Sequence, residues 1–137
     1  MKKEKSCGVI VIKRENEEFK ILLLEHQKGH ISYPKGHVEE NETEEETALR
    51  EVKEETNLDV KLISGFRKVI TYSPKENVLK DVVYFLGSPI NEKVIVQEEE
   101  IKSFKWVSFK EAFDLVTHDD DKMLLNEVIS YLNDFSY

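Results

Sequence analysis

The spacing of apolar positions changes several times along the chain, and each change marks an element. Ser6–Lys13 is a short run of β-branched and apolar residues bounded by charge, which predicts a strand. Phe19–Glu25 predicts a second strand, with the polar stretch Arg14–Glu18 as the turn between them. From His26 to Gly36, two glycines and Pro34 break the pattern, predicting a loop with a short extended piece around Tyr33. The spacing becomes helical over Thr43–Thr56. Thr43 is placed to cap that helix, and Glu46 completes a capping box. Asn57 follows the last turn and tolerates the left-handed C-cap conformation. Val60–Thr71, Leu79–Gly87 and the shorter Phe104–Val107 predict further strands. Ser108 could cap a helix over Phe109–Val116, and Asp119–Asp121 could start a last helix ending near Leu132. This order predicts an α+β or α/β sandwich with a mixed sheet. With 137 residues, no internal repeat and no linker, one domain over 1–137 is expected.

The central helix carries chemistry beside its packing face. At about 100° per residue, Ala48, Leu49 and Val52 share one arc, which should face the sheet. Glu51, Glu54 and Glu55 share the adjacent arc. Like charges at this spacing destabilise a helix, and a hard divalent cation with carboxylate ligands removes the repulsion. Arg50, four residues before Glu54, is placed to orient that carboxylate. Glutamate-rich helices are common, however, and Glu44, Glu45 and Glu46 read as a solvated face, so this spacing alone does not single out a metal site.

Composition narrows the function. Charged residues at 35% and hydrophobic residues at 39% suit a folded, soluble protein. No apolar run approaches the roughly 20 residues needed to cross a membrane, and none follows the charged N-terminus as a signal peptide would require. Cys7 is the only cysteine, so a reducing cytoplasm is the expected compartment. The net charge of −8 argues against coating nucleic acid. A small polyanionic substrate would need divalent cations and a local basic patch.

The stretch GHVEENETEEETALREVKEETNL resembles the box of the Nudix hydrolases, G-x5-E-x7-R-E-U-x-E-E-x-G-U, with U a bulky apolar residue. Gly36, Glu42, Arg50, Glu51, Val52, Glu54, Glu55 and Leu58 fill eight of its nine specified positions, and Asn57 replaces the second glycine. The resemblance implies an α/β/α sandwich and Mg²⁺-dependent hydrolysis of a pyrophosphate bond, with Mn²⁺ as an alternative metal. It implies Glu51, Glu54, Glu55 and the Gly36 carbonyl as metal ligands, Glu54 as a proton acceptor, and Glu42 and Arg50 as braces. Within the family, Pro34–Glu39, Ser6–Ile10, Gly65–Arg67, Lys80–Leu86, and Glu100 followed by Trp106 are similar to segments of diadenosine tetraphosphate hydrolases. That likeness implies Lys35, His37 and Lys80 as phosphate contacts and Tyr72 as an adenine-stacking residue, with Tyr84 or Phe104 as further aromatic partners. It also implies Glu100 as a base or additional ligand. Tyr33 stands where those hydrolases often carry tryptophan. Apart from the resemblance, Tyr84 lies in an apolar strand and reads as core, while His26, His30 and His118 have no metal-like spacing and read as surface or loop residues. RNA 5′-pyrophosphohydrolase, ADP-ribose hydrolase and nucleoside triphosphate pyrophosphatase remain alternative activities, and a Nudix-fold nucleotide-binding regulator is the non-enzyme alternative. The expected partner is a small nucleotide, with RNA 5′ ends the one nucleic-acid exception. Oligomeric state is left open.

Overall fold

The computed structural model describes residues 1–134. Its elements are β1 (Lys2–Glu15), β2 (Glu18–His26), β3 (Ile31–Ser32), β4 (Lys35–His37), α1 (Glu44–Thr56), β5 (Val60–Tyr72), β6 (Val78–Pro89), β7 (Ile101–Ser108), α2 (Phe109–Leu115) and α3 (Asp119–Asp134). Strand order is β3-β2-β1-β6-β5, with β4 paired to β1 and β7 to β2.

β1 is the long shared strand. Its first ten residues pair in parallel with β6, from Lys2↔Val78 to Val11↔Gly87. Its last four pair antiparallel with β2, from Ile12↔Ile21 to Glu15↔Glu18. The sheet is therefore mixed, as the element order predicts. β1 begins four residues earlier than its apolar run because β6 supplies a hydrogen-bond ladder to the charged Lys2–Lys5 segment, and side-chain pattern carries no trace of that pairing. The turn into β2 is tighter than expected. Only Asn16 and Glu17 lie in it, both at positive φ (52° and 65°), as a two-residue hairpin requires.

The His26–Gly36 segment is more ordered than a loop. β3 pairs with β2, and β4 pairs with β1 through Ser6↔His37, Cys7↔Gly36 and Gly8↔Lys35. β1 needs Gly8 here, because a Cβ would overlap the Pro34 carbonyl and Lys35.

Alternation along the strands splits the interior in two. Cys7, Val9, Val11, Leu22, Leu24, Val83 and Phe85 pack with Ala48 and Val52 of α1, and Leu49 is partly buried beside them. Ile10, Ile12, Ile21, Leu23, Tyr84 and Leu86 pack on the other face with Ala112, Leu124, Leu125, Val128 and Leu132 of α2 and α3. Each fully buried Leu or Ile contributes about 1.5–3 kcal/mol, so both faces hold the sheet. Tyr84 is in the core, as its strand pattern predicts.

The helix ends follow local signals closely. Thr43 and Glu46 form the capping box of α1, and Asn57 closes it in the left-handed conformation. Ser108 and Glu111 form a second capping box at α2, which stops at Leu115 rather than Val116. Among the described residues, no helix is long and apolar enough to cross a membrane.

Candidate active site

α1 and the segment before it form an acidic wall. Arg50 is its organiser: its Nε and Nη2 donate to the two oxygens of Glu42 at 2.7 and 3.0 Å. Its Nη1 reaches Glu51 and Glu54, each at 3.2 Å, and Nη2 also donates to the His37 carbonyl at 3.0 Å. Glu42 further accepts from Thr47 Oγ1 at 2.8 Å and from the Glu39 N–H at 3.1 Å. Arg50 and then Thr47 hold the Glu42 carboxyl down at about 2, so it stays ionised as the anchor.

The other carboxylates are less satisfied. Glu55 is 3% exposed and accepts the Lys35 backbone N–H at 3.3 Å. Burial, then the Glu51 charge, pushes its pKa up to about 8. Burial also raises Glu51. Glu54 is half-exposed. At Gly36 a Cβ would overlap the Glu51 carboxylate, so glycine is what lets the carboxylate lie against the backbone. These features fit a divalent cation: the donors are hard oxygens, crowded, partly desolvated and short of positive partners. Among the described residues no three acidic or imidazole groups already converge on one point, and Arg50 holds Glu51 and Glu54 to itself.

Glu100 faces this wall from the turn before β7. Its charge adds to the upward shifts of Glu51 and Glu55. Three hydrogen bonds tie the turn to its neighbours. The Gln97 N–H donates to the Glu55 carbonyl at 3.1 Å. Gln27 donates from its backbone to the Glu100 carbonyl and from its side-chain amide to the Glu98 carbonyl, both at 2.9 Å. Sequence reading missed Gln27 because neither spacing nor residue type marks it.

A basic floor adjoins the wall, and strand register builds it. Ser6 pairs with His37 and Val82, Gly8 with Lys35, and Glu4 and Tyr72 with Lys80. Directly paired side chains share a face. Lys35, His37, Lys80, Ser6 and Tyr72 therefore lie on one face of β4, β1, β6 and β5. Lys80 is only 9% exposed. Burial and then Lys35 lower its pKa, while burial and then Lys80 lower that of His37. Two crowded lysines beside an imidazole attract an anion.

Wall and floor enclose a cleft of about 500 Å³ that Lys35, His37, Lys80, Glu51, Glu54, Glu55 and Glu100 all line. A second cleft of about 510 Å³ shares Lys35, Lys80 and His30 with it and continues to Tyr72, His118 and Asp121. Tyr72 is at the rim, as the end of its strand suggests. One expectation needs correction. Phe104 belongs to neither cleft: it packs near Leu23, Ile31 and Leu115, because β7 pairs with the far edge of β2. His30 and His118 lie in loops, as expected, while His26 ends β2, and the three come together. His26 and His30 stack with ring centroids 4.0 Å apart, and His118 lies 6.0 Å from His30. Burial, then His30, lowers His26 to about 4. Only the tertiary fold brings His118 to the other two.

Tyr33 is fully buried and donates to the Asp121 carbonyl at 2.6 Å, so it supports the second cleft from behind. Asp121, read from the sequence only as a helix start, is itself buried and accepts from Ser32 Oγ at 2.8 Å.

Comparison with known proteins agrees with this geometry. Residues 2–126 match the NUDIX domain. The chain is 34% identical to the asymmetrical bis(5′-nucleosyl)-tetraphosphatase of Sus scrofa, over 93% of this chain and 95% of that protein. It is 26% identical to the RNA pyrophosphohydrolase of Pelagibacter ubique, over 80% and 78%. The C. elegans Ap4A hydrolase in a binary complex superposes with a TM-score of 0.88 at 25% identity, covering 95% of this chain and 98% of that one. A carboxylate wall braced by one arginine, on this sheet and in this sequence context, makes the chain a member of the Nudix family of pyrophosphate-bond hydrolases.

Proposed function

We propose that the chain hydrolyses diadenosine tetraphosphate asymmetrically, adding one water and releasing ATP and AMP, with Mg²⁺ as its metal. The observation that carries this reading is the one-faced basic floor of Lys35, His37 and Lys80, which runs from Tyr72 to the carboxylate wall. A polyphosphate lying along the floor presents its phosphorus atoms to the carboxylates, with its adenine end at Tyr72. The likeness to tetraphosphatases over nearly the whole chain supports the choice of substrate.

Bound Mg²⁺ supplies charge neutralisation on phosphate oxygens and a water of lowered pKa. Glu51, Glu54, Glu55 and the Gly36 carbonyl would hold the metal. Arg50 positions Glu51 and Glu54 and is itself fixed by Glu42. Glu54, the most exposed of the three, takes a proton from the attacking water, and Glu100 adds a carboxylate from the facing turn. Lys35, His37 and Lys80 bind the phosphate chain, and Tyr72 stacks on adenine.

Chromatography of a reaction with diadenosine tetraphosphate and Mg²⁺ tests the proposal. Equal amounts of ATP and AMP are expected. Absence of both overturns the substrate, as does a higher kcat/KM on triphosphorylated RNA, ADP-ribose or a non-canonical nucleoside triphosphate.

A further inference from the structure

One polar group on the basic floor has no protein partner. Ser6 is 1% exposed, and its Oγ makes no hydrogen bond among the described residues. Buried hydroxyls are almost always paired, and an orphan costs stability. Packing does not call for a hydroxyl here. The next positions on the same face of β1 are Gly8, Ile10 and Ile12, which serve the sheet with no polar atom in their side chains.

The position of Ser6 supplies a reason. It lies directly across from His37 and Val82, with Lys80 two residues before Val82 on β6, and it borders the catalytic cleft. A second orphan, His26 Nε2, borders the same cleft. Unpartnered polar groups thus collect where a ligand would lie. A hydroxyl beside two lysines and an imidazole can donate to an anion's oxygen, and a hydrogen bond to a charged acceptor is stronger than one between neutral groups.

We propose that Ser6 is a substrate-binding residue, its hydroxyl donating to a non-bridging phosphate oxygen of the polyphosphate that lies over Lys35, His37 and Lys80. The inference rests on the proposed function for the placement of that chain, and it adds a neutral donor to the cationic floor.

The test compares Ser6→Ala and Ser6→Cys with the parent protein. Titration calorimetry measures binding of a diadenosine tetraphosphate analogue with methylene bridges, in Mg²⁺, and thermal denaturation is followed alongside. Both variants are expected to weaken the Kd roughly tenfold, with Tm unchanged or raised, because the orphan hydroxyl stabilises nothing in the free protein. An unchanged Kd overturns the proposal. So does a weaker Kd accompanied by a lower Tm, since the hydroxyl would then be structural. Lys80→Met separates the two readings. If it weakens binding while Ser6→Ala does not, the role of Ser6 fails and the floor stands. If neither variant has an effect, the placement of the polyphosphate fails as well.

Discussion

The two sides of the cleft are built in opposite ways. The acidic wall draws Glu51, Glu54 and Glu55 from little more than one helical turn, so local periodicity juxtaposes them and Arg50 braces Glu51 and Glu54. The basic floor draws Lys35, His37 and Lys80 from two strands that meet only through β1. Helix geometry positions the wall and sheet register positions the floor. The wall should therefore respond to changes in carboxylate chemistry, and the floor to changes in charge and pairing. Both sides leave their charged groups short of opposite partners, and a metal-bound polyphosphate would satisfy the two together.

The largest expected effect separates chemistry from binding. Glu54→Gln should lower kcat roughly 10²–10⁴-fold while Tm stays close to the parent, because Glu54 is half-exposed. Retention of full turnover in a steady-state assay would remove Glu54 from the chemistry. Lys80→Met should act in the opposite sense, raising KM roughly tenfold with a smaller change in kcat. A fall in kcat at constant KM would instead place Lys80 with the wall.

The third prediction concerns pH and the metal-free protein. Burial keeps folded Glu55 protonated up to about pH 8, whereas an ordinary carboxyl of this type ionises near 4.5. Its contribution to stability is full below 4.5 and is lost as pH rises to 8. His26 runs the other way, with a folded value of about 4 against 6.5: its contribution is present above 6.5 and is lost as pH falls. His30 and His37 shift in the same direction as His26. Between pH 6.5 and 8 the Glu55 effect is unopposed by these histidines. Metal-free protein should lose thermal stability across that window, and Glu55→Gln should flatten the loss. Equal Tm values for the parent protein at the two ends would refute the burial-driven protonation.

The smallest effect is expected at the one mismatched box position. Asn57 adopts φ 68°, which glycine also allows, and its amide donates to the Lys93 carbonyl at 3.1 Å, which glycine cannot. These differences act in opposite directions, so Asn57→Gly should change stability by no more than about 1 kcal/mol and leave kcat unchanged. Denaturant unfolding and a rate assay check both parts, and a large loss of kcat would give the asparagine a role in the site.

Legibility follows the range of the interactions. α1 could be read to within a residue at each end because its caps and periodicity lie within one stretch of chain. The Lys2–Lys5 part of β1 and the short β4 were not legible, because their ladders come from strands remote in the chain and their side chains carry no apolar signal, and β3 is only two residues long. In the site, the carboxylates and Arg50 were legible from spacing, and Lys35 and His37 from their position beside Gly36. Phe104 was misplaced because its partner strand was unknown, and the histidine cluster was invisible because His118 reaches the other two only through packing of α3.

By itself the sequence determined the class of chemistry through the match of residues 36–58 to the Nudix box; helical spacing brings three carboxylates and an arginine together on one local element but does not by itself single out a metal site. The tertiary structure alone decided the register that turns Lys80, His37 and Ser6 to one face, the depth at which Glu55 is buried, and the turn that carries Glu100 to the wall. Each depends on contacts between segments remote in the chain, and no local pattern encodes a non-local register.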